Sequence, residues 1–141
     1  MTGVRTGQCL CGAVKFEVSG ALDGAIGCHC QQCRRTSGHY TAGALARREN
    51  VVITEDDGAL KWYRSSPEAR RGFCVKCGSS MLWDYTAGDS MGIFVGSLDG
   101  PTGLTMTRHV FTEDKGDYYT ITDGTPEHGA YDRPPLAPPD E

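Results

Sequence analysis

Hydrophobic and polar residues alternate along short segments of this chain. In 13–18, Val14, Phe16 and Val18 alternate with charged residues, which is the period-two pattern of a half-buried strand. Other segments are rich in β-branched and aromatic residues, and Gly-, Asp- and Ser-rich turn clusters separate them. Short strands about ten residues apart predict an all-β fold, either a sandwich or an open barrel. The predicted strands are 13–18, 40–46, 51–54, 59–64, 70–74, 80–85, 91–96, 105–111 and 118–122.

Two segments depart from this pattern. The best helical candidate is short and covers 30–36, and no segment favours a helix longer than two turns. The chain from 125 onward contains five of the seven prolines. We therefore expect a domain at 1–124 and a Pro-rich C-terminal tail at 125–141, extended and either loose or laid across the domain.

Composition and charge narrow the class of protein. The 141 residues suit one domain, and 38% hydrophobic with 23% charged residues is typical of a globular chain. The longest stretch without Asp, Glu, Lys or Arg is 36–46, well below the ~20 apolar residues of a membrane span. The first fifteen residues contain no secretory-type apolar run, so we expect a soluble cytoplasmic protein. A net charge of −4 argues against a nucleic-acid partner.

Seven cysteines are the main chemical feature of the sequence. An odd count cannot pair entirely into disulfides, and a cytoplasmic chain meets a reducing environment. The thiols are therefore expected to be metal ligands or redox groups. They form three groups: Cys9 and Cys11; Cys28, Cys30 and Cys33; Cys74 and Cys77.

The first and third groups each end in a glycine, Gly12 and Gly78. The residue after the last ligand of a metal-binding knuckle commonly needs positive φ, which glycine adopts without steric cost. We interpret Cys9, Cys11, Cys74 and Cys77 as one closed, tetrahedral, structural zinc site. The alternative is a set of unrelated buried cysteines.

The middle group places three thiols within six residues. Three protein ligands plus an open position is the arrangement of a catalytic zinc. His29 lies between two ligands and, in an extended chain, would point away from them. His39 and His109 remain possible fourth ligands, which would make this a second structural site.

Other metal centres fit the spacing less well. A plant-type iron–sulfur protein needs C-x₄-C-x₂-C, and Cys28-x₄-Cys33 lacks the second step. A c-type haem needs C-x-x-C-H, but Arg34 follows Cys33. Cys74 and Cys77 have the spacing of a thioredoxin-like pair, yet no βαβ unit surrounds them. Zinc is therefore the favoured metal.

Taken in order, these motifs resemble the glutathione-dependent formaldehyde-activating enzyme family, also called the centromere-protein-V/Gfa domain. The matching motifs are GQCLCGAVKF at 7–16, CHCQQCRRTSG at 28–38, RGFCVKCG at 71–78, GSLD at 96–99, HVF at 109–111 and DGTP at 123–126. The resemblance implies an Mss4-like, zinc-bearing fold of twisted antiparallel sheets. It also implies two zinc ions per chain, one structural on the first and third cysteine groups and one on the middle group.

The family's name-giving members are described as carbon–sulfur lyases that form S-hydroxymethylglutathione from formaldehyde and glutathione. The resemblance therefore implies a small thiol such as glutathione as the partner. Proton transfer would fall to a histidine, and His29, His109 and His39 are the candidates. Arg34, Arg35 and Arg71 are candidates to bind substrate carboxylates, although arginine pairs are also common on solvated surfaces.

Two other functions stay open at this point. One is a non-enzymatic zinc module that binds another protein through a sheet edge or the Pro-rich tail. The other is a nucleic-acid-associated domain, which the acidic charge balance disfavours.

Overall fold

A computed structural model describes residues 3–130 of the chain. Within this range the fold is mainly β, with ten strands and one short α-helix, α1 (Gln31–Ser37). The strands are β1 (Val4–Gln8), β2 (Val14–Ser19), β3 (Ala25–Cys28), β4 (Thr41–Arg47), β5 (Val51–Glu55), β6 (Leu60–Arg64), β7 (Ala69–Cys74), β8 (Ser80–Tyr85), β9 (Ser90–Phe94) and β10 (Met106–Val110). Single 3₁₀ turns occur at Arg48–Asn50, Val95–Ser97 and Thr112–Asp114.

The strands form two sheets. The smaller sheet has the order β1-β2-β5 and the larger has the order β10-β3-β4-β9-β8-β7-β6. Every pairing is antiparallel except that of β10 with β3, which is parallel. The prediction of an all-β fold with antiparallel sheets is confirmed, with this one parallel edge added.

The hydrophobic core lies between the two sheets. The predicted alternation of β2 is confirmed, because Val14, Phe16 and Val18 are buried while Lys15 and Glu17 are exposed. They pack in one cluster with side chains from the larger sheet, among them Met81, Leu82, Met91 and Ile93.

The larger sheet has a second face that points away from this core. Met91 and Ile93 of β9 face the core, so the intervening Gly92 and the following Phe94 face the other side. By the same alternation, Trp83 and Tyr85 of β8 lie on this second face. Those two rings are half-buried and stacked, with centroids 5.6 Å apart.

Two strands were absent from the sequence prediction, and one predicted strand is wrong. β1 and β3 are short and carry glycines and polar residues, so their hydrophobic pattern is weak. The segment 118–122 forms no strand. Its aromatic residues pack on histidine rings instead: Tyr119 stacks on His29 and Tyr118 lies against His39. Aromatic composition thus reflected side-chain packing here rather than a hydrogen-bonded ladder.

The first residues of the expected tail run beside β10. The backbone N–H of His109 donates to the carbonyl of Pro126 (2.9 Å), and that of His128 donates to His109 (2.9 Å). The prolines at 134, 135, 138 and 139 lie outside the described residues. No helix between residues 3 and 130 has the length and apolar character that a membrane crossing needs.

Candidate metal centres and the adjoining cleft

The first cysteine cluster joins two turns that are distant in sequence. Cys9 and Cys11 lie in the β1–β2 turn, while Cys74 ends β7 and Cys77 precedes β8. All four sulfurs lie within 4.8 Å of one another, with Cys9 to Cys11 at 3.7 Å and Cys11 to Cys74 at 3.8 Å. In a tetrahedral site with metal–sulfur bonds of about 2.3 Å, the sulfurs stand about 3.8 Å apart. The predicted four-cysteine grouping therefore has the geometry to hold a metal ion.

Local backbone conformation builds these two turns. Gly12 and Gly78 have φ of 83° and 81°, as the sequence analysis expected for the residue after each pair. The N–H of Val14 donates to the Cys9 sulfur (3.3 Å). Such donors stabilise thiolate charge around a metal.

Ser79 links the two turns, and sequence reasoning missed it. Its hydroxyl accepts from the N–H of Leu10 (2.9 Å) and lies 3.2 Å from the Cys77 sulfur. Hydrogen bonds from the Ser79 side chain and backbone lower the pKa of Cys77 to about 5. A serine directly after a cysteine–glycine turn was the available signal.

The second cluster forms where β3 passes into α1. Cys28 ends β3, Cys30 caps the helix and Cys33 lies in its first turn. The Cys30 sulfur accepts from the Cys33 N–H (3.4 Å), and the helix ends at Gly38, whose φ is 79°. The predicted helix at 30–36 is confirmed with a shift of one residue. Its start fixes the spacing of the three thiols.

The three sulfurs of this cluster also lie within 4.8 Å of one another. Across residues 3–130, no histidine nitrogen joins them. Hydrogen bonds from Cys28 and Cys30 lower the pKa of Cys33, and hydrogen bonds with Cys30 and Cys33 raise that of Cys28. The three sulfurs are close enough together to share one metal ion.

Both candidate catalytic histidines lie in a buried hydrogen-bonded chain. Nε2 of His29 is 2.8 Å from Nδ1 of His109, and Nε2 of His109 is 2.8 Å from a carboxylate oxygen of Asp123. The other ring nitrogen of His29 bonds the Tyr119 hydroxyl. His29 therefore has both nitrogens engaged away from the cysteines that flank it.

Burial, together with repulsion from the neighbouring His109, His39 and Lys115, lowers the pKa of His29 to about 4. With both rings neutral, only one proton assignment satisfies every atom, because the Asp123 carboxylate can only accept. Tyr119 donates to His29, His29 donates through Nε2 to His109, and His109 donates through Nε2 to Asp123. The bond from His109 holds the pKa of Asp123 down at about 2.

His39 lies outside this chain. It is exposed, and its Nδ1 is 2.7 Å from the Tyr118 hydroxyl. This contact directs the ring towards Tyr118.

A cleft of about 670 Å³ opens beside the three-cysteine cluster, over the second face of the larger sheet. All three sulfur-bearing residues line it, together with side chains from β4, β7, β8 and β9. Arg71 lies at its wall and is only 7% exposed. Its Nη2 is 3.6 Å from the Cys33 sulfur and 3.4 Å from Oε1 of Gln32. Its Nε and Nη1 are buried and have no hydrogen-bond partner.

The other sequence-predicted residues lie elsewhere. Arg34 and Arg35 are on α1 but do not line the cleft, and neither do His29 and His109. Of the three predicted substrate-binding arginines, Arg71 is thus the one that lines the cleft beside the three cysteines.

Comparison with known proteins identifies the family. The sequence model of the family described as glutathione-dependent formaldehyde-activating enzyme (GFA) matches residues 4–114. The chain belongs to the GFA family. A protein of Schizosaccharomyces pombe, named only as an uncharacterised lyase, is 30% identical over 122 residues, which cover 84% of this chain and 86% of that protein.

A solved structure is also similar to this GFA-family chain. The crystal structure of a Rhodobacter sphaeroides protein matches with a TM-score of 0.58 and 28% identity, over 72% of this chain and 99% of that one. The GFA match ends at residue 114, before Tyr119 and Asp123, whose contacts with the two histidines sequence reasoning did not assign. The DGTP motif that begins at Asp123 was the available signal.

Proposed function

We propose that this GFA-family protein is a zinc-dependent enzyme of the carbon–sulfur lyase type. It would act on an adduct of a small thiol and an aldehyde, similar to S-hydroxymethylglutathione, and hold two zinc ions per chain. One observation carries the proposal: Cys28, Cys30 and Cys33 line an open cleft, whereas the four-cysteine cluster lies in two joined turns. Membership of the GFA family and the lyase name of the yeast relative support the same class of reaction.

The donor set of the cleft suits zinc. Three thiolates, with no further protein ligand among residues 3–130, would leave one coordination position for a substrate sulfur. Zinc in such a site would supply an electrophile that lowers the pKa of a bound thiol and keeps it as the nucleophilic thiolate.

Arg71 is the residue best placed to bind the substrate. It is a buried cation beside Cys33, and Gln32 orients one end of its guanidinium. Buried donors without partners are costly, and a substrate carboxylate would supply the missing acceptor. Arg34 and Arg35 would add longer-range attraction for an acidic thiol such as glutathione, because they follow the cluster on α1.

The two histidines would position the loop that carries Cys28 and Cys30 and would not contact the substrate directly. Neither ring lines the cleft, and the chain to Asp123 holds the proton of each ring on Nε2. His29 thereby fixes the backbone between Cys28 and Cys30, and His109 ties it to β10. Both histidines would therefore be needed for activity because they position the loop that carries Cys28 and Cys30.

The reaction balances without any oxidant or reductant. The thiol sulfur forms a bond to the carbonyl carbon, the π bond of the carbonyl breaks, and the thiol proton moves to the carbonyl oxygen. In the lyase direction the sulfur–carbon bond breaks, the carbonyl π bond re-forms, and the hydroxyl proton returns to the sulfur.

Exchange NMR tests the proposal, because it measures the rate of a reaction that also proceeds unaided. Zinc-loaded protein should accelerate exchange between formaldehyde, glutathione and their adduct. Cys30→Ser should abolish the acceleration, while Thr36→Ala, an exposed change on the same helix, should preserve it. If the zinc-loaded protein binds no small thiol and accelerates no exchange, the non-enzymatic zinc module becomes the better proposal.

A further inference from the structure

The floor of the cleft is apolar and aromatic beyond what a one-carbon substrate requires. Alternate residues of four neighbouring strands line it, because the strands are in register and every second side chain faces the same side. Trp83, Tyr85 and Phe94 provide three half-buried aromatic rings on this floor. Formaldehyde has two non-hydrogen atoms and glutathione is mostly amide, ammonium and carboxylate, so neither would use this aromatic surface.

Glycines open the space above the floor. A Cβ at Gly43 would make ordinary contacts, 3.7 Å from the Ile93 carbonyl and 3.8 Å from Phe94 Cδ1. A Cβ at Gly92 would likewise stand 3.4 Å from Trp83. Both positions therefore have room for a larger side chain. Because glycine occupies them instead, the cleft stays open beside the aromatic rings.

Arg71 is the one lysine or arginine among the described residues that line the cleft, and Glu68 and Asp114 also line it. Arg71 lies at the three-cysteine cluster with two nitrogens that have no partner. A ligand complementary to this cleft has an anionic group that binds Arg71 and a flat apolar group that packs on the floor.

We propose that the carbonyl compound handled by this protein has an aromatic group, which lies on Trp83, Tyr85 and Phe94 while a carboxylate of the adduct binds Arg71. This inference rests on the proposed function and names the class of aldehyde that it would accept. The bond changes are those given above: the thiol sulfur bonds to the carbon of an aryl aldehyde, and the thiol proton moves to its oxygen.

Binding of two simple carboxylates tests the cleft without any reaction. Calorimetry on the zinc-loaded full chain compares 3-phenylpropanoate with propanoate, which share the carboxylate and differ by a phenyl ring. The aromatic probe should bind about tenfold tighter or more, since its phenyl ring leaves water for the apolar floor. Equal affinity for the two probes would overturn the proposal.

Two variants test whether 3-phenylpropanoate binds in this cleft. Gly43→Val puts a side chain above the floor and should weaken 3-phenylpropanoate about tenfold, whereas Thr54→Val on the exposed side of β5 should leave it unchanged. Tyr85→Ala removes one ring of the floor and is the second variant should Gly43→Val fail to fold. If the aromatic probe binds both cleft variants as tightly as the original protein, the proposal is wrong.

The kinetic comparison separates this inference from the proposed function. With the same thiol in both reactions, the protein should accelerate the exchange between benzaldehyde and its thiol adduct more than the corresponding exchange of formaldehyde. Acceleration of formaldehyde alone would leave the lyase proposal standing and reject the aromatic substrate. Acceleration of neither aldehyde, with tight 3-phenylpropanoate binding, would reject the lyase and leave an aromatic-carboxylate site.

Discussion

Nε2 of His29 and Nδ1 of His109 lie 2.8 Å apart in the interior, although 80 positions separate the two residues in sequence. The parallel pairing of β3 with β10 brings them together, since His109 is in register with Gly27. His29 lies between Cys28 and Cys30 of the second cluster. This contact therefore connects the loop that carries these two cysteines to β10, near the C-terminal end of the described residues. The requirement for glycine at 27 follows from the same geometry, because a Cβ there would lie 2.5 Å from His109 Nδ1.

Gly27→Ala should therefore displace the His109 ring and destabilise the protein. A forced contact of this kind in a packed interior costs about 1–3 kcal/mol. Urea unfolding measures the loss. Gly43→Ala on the neighbouring strand is the matched control, because its Cβ would meet only ordinary contacts. Equal stability of the two variants would show that His109 moves without cost.

Asp123→Asn should reduce stability in a pH-dependent way. The His109 bond depresses the folded-state pKa of Asp123 to about 2, whereas an unfolded Asp titrates near 3.9. A depressed folded pKa stabilises the protein above the unfolded value, and this contribution is lost as pH falls through the folded one.

The stability difference between the original protein and Asp123→Asn should accordingly be constant above about pH 5 and shrink between about pH 4 and pH 2. Urea unfolding of both proteins at each pH measures it, so effects common to both cancel. Asp117→Asn, an exposed carboxylate in the preceding loop, should show little difference at any pH. A pH-independent loss for Asp123→Asn would contradict the charged hydrogen bond.

Metal analysis should find close to two zinc ions per chain. The ion held by three cysteines should leave first under a mild chelator, because the cleft gives a competing ligand access to its open position. Elemental analysis during dialysis follows the loss. A single ion shared by all seven thiols, or an iron–sulfur absorbance band, would exclude this arrangement.

The two cysteine clusters should differ in what they contribute to stability. Cys74→Ser should unfold or aggregate the protein, since Cys74 is fully buried and a structural zinc contributes on the order of 10 kcal/mol to folding. Cys30→Ser should leave a folded domain that has lost only the second ion. Melting temperatures and zinc content measure both changes. If the two variants are equally damaged, the second cluster is structural.

Thiol binding should depend on the arginine beside the cluster. Glutathione should bind measurably, and S-methylglutathione far more weakly, because a thioether cannot become a thiolate. Arg71→Gln should weaken glutathione about tenfold or more, as expected for a hydrogen bond between charged groups, and should affect 2-mercaptoethanol much less. Replacement of Arg34 and Arg35 by alanine should have a smaller, salt-sensitive effect, since neither lines the cleft. Calorimetry measures each affinity. An equal loss of affinity for both thiols would show that Arg71 does not bind the carboxylate.

Much of the fold was readable from local pattern. The alternation in β2, the helix start at Cys30 and the positive φ of Gly12 and Gly78 are properties of a few adjacent residues, and the structure agrees with each. The predicted strand at 118–122 is wrong because Tyr118 and Tyr119 suit a strand and a ring-stacking role equally well.

The sequence by itself determined the partition of the seven cysteines into four and three, because ligand type, spacing and flanking glycines are local. Only the tertiary structure decided which groups surround those sulfurs. It placed Arg71 but not Arg34 or Arg35 at the cleft, connected His29 through His109 to Asp123, and laid three aromatic rings on the floor. The reason is physical: these neighbours come from strands far apart in the chain, and they meet only through strand order and register, which set which side chains share a face.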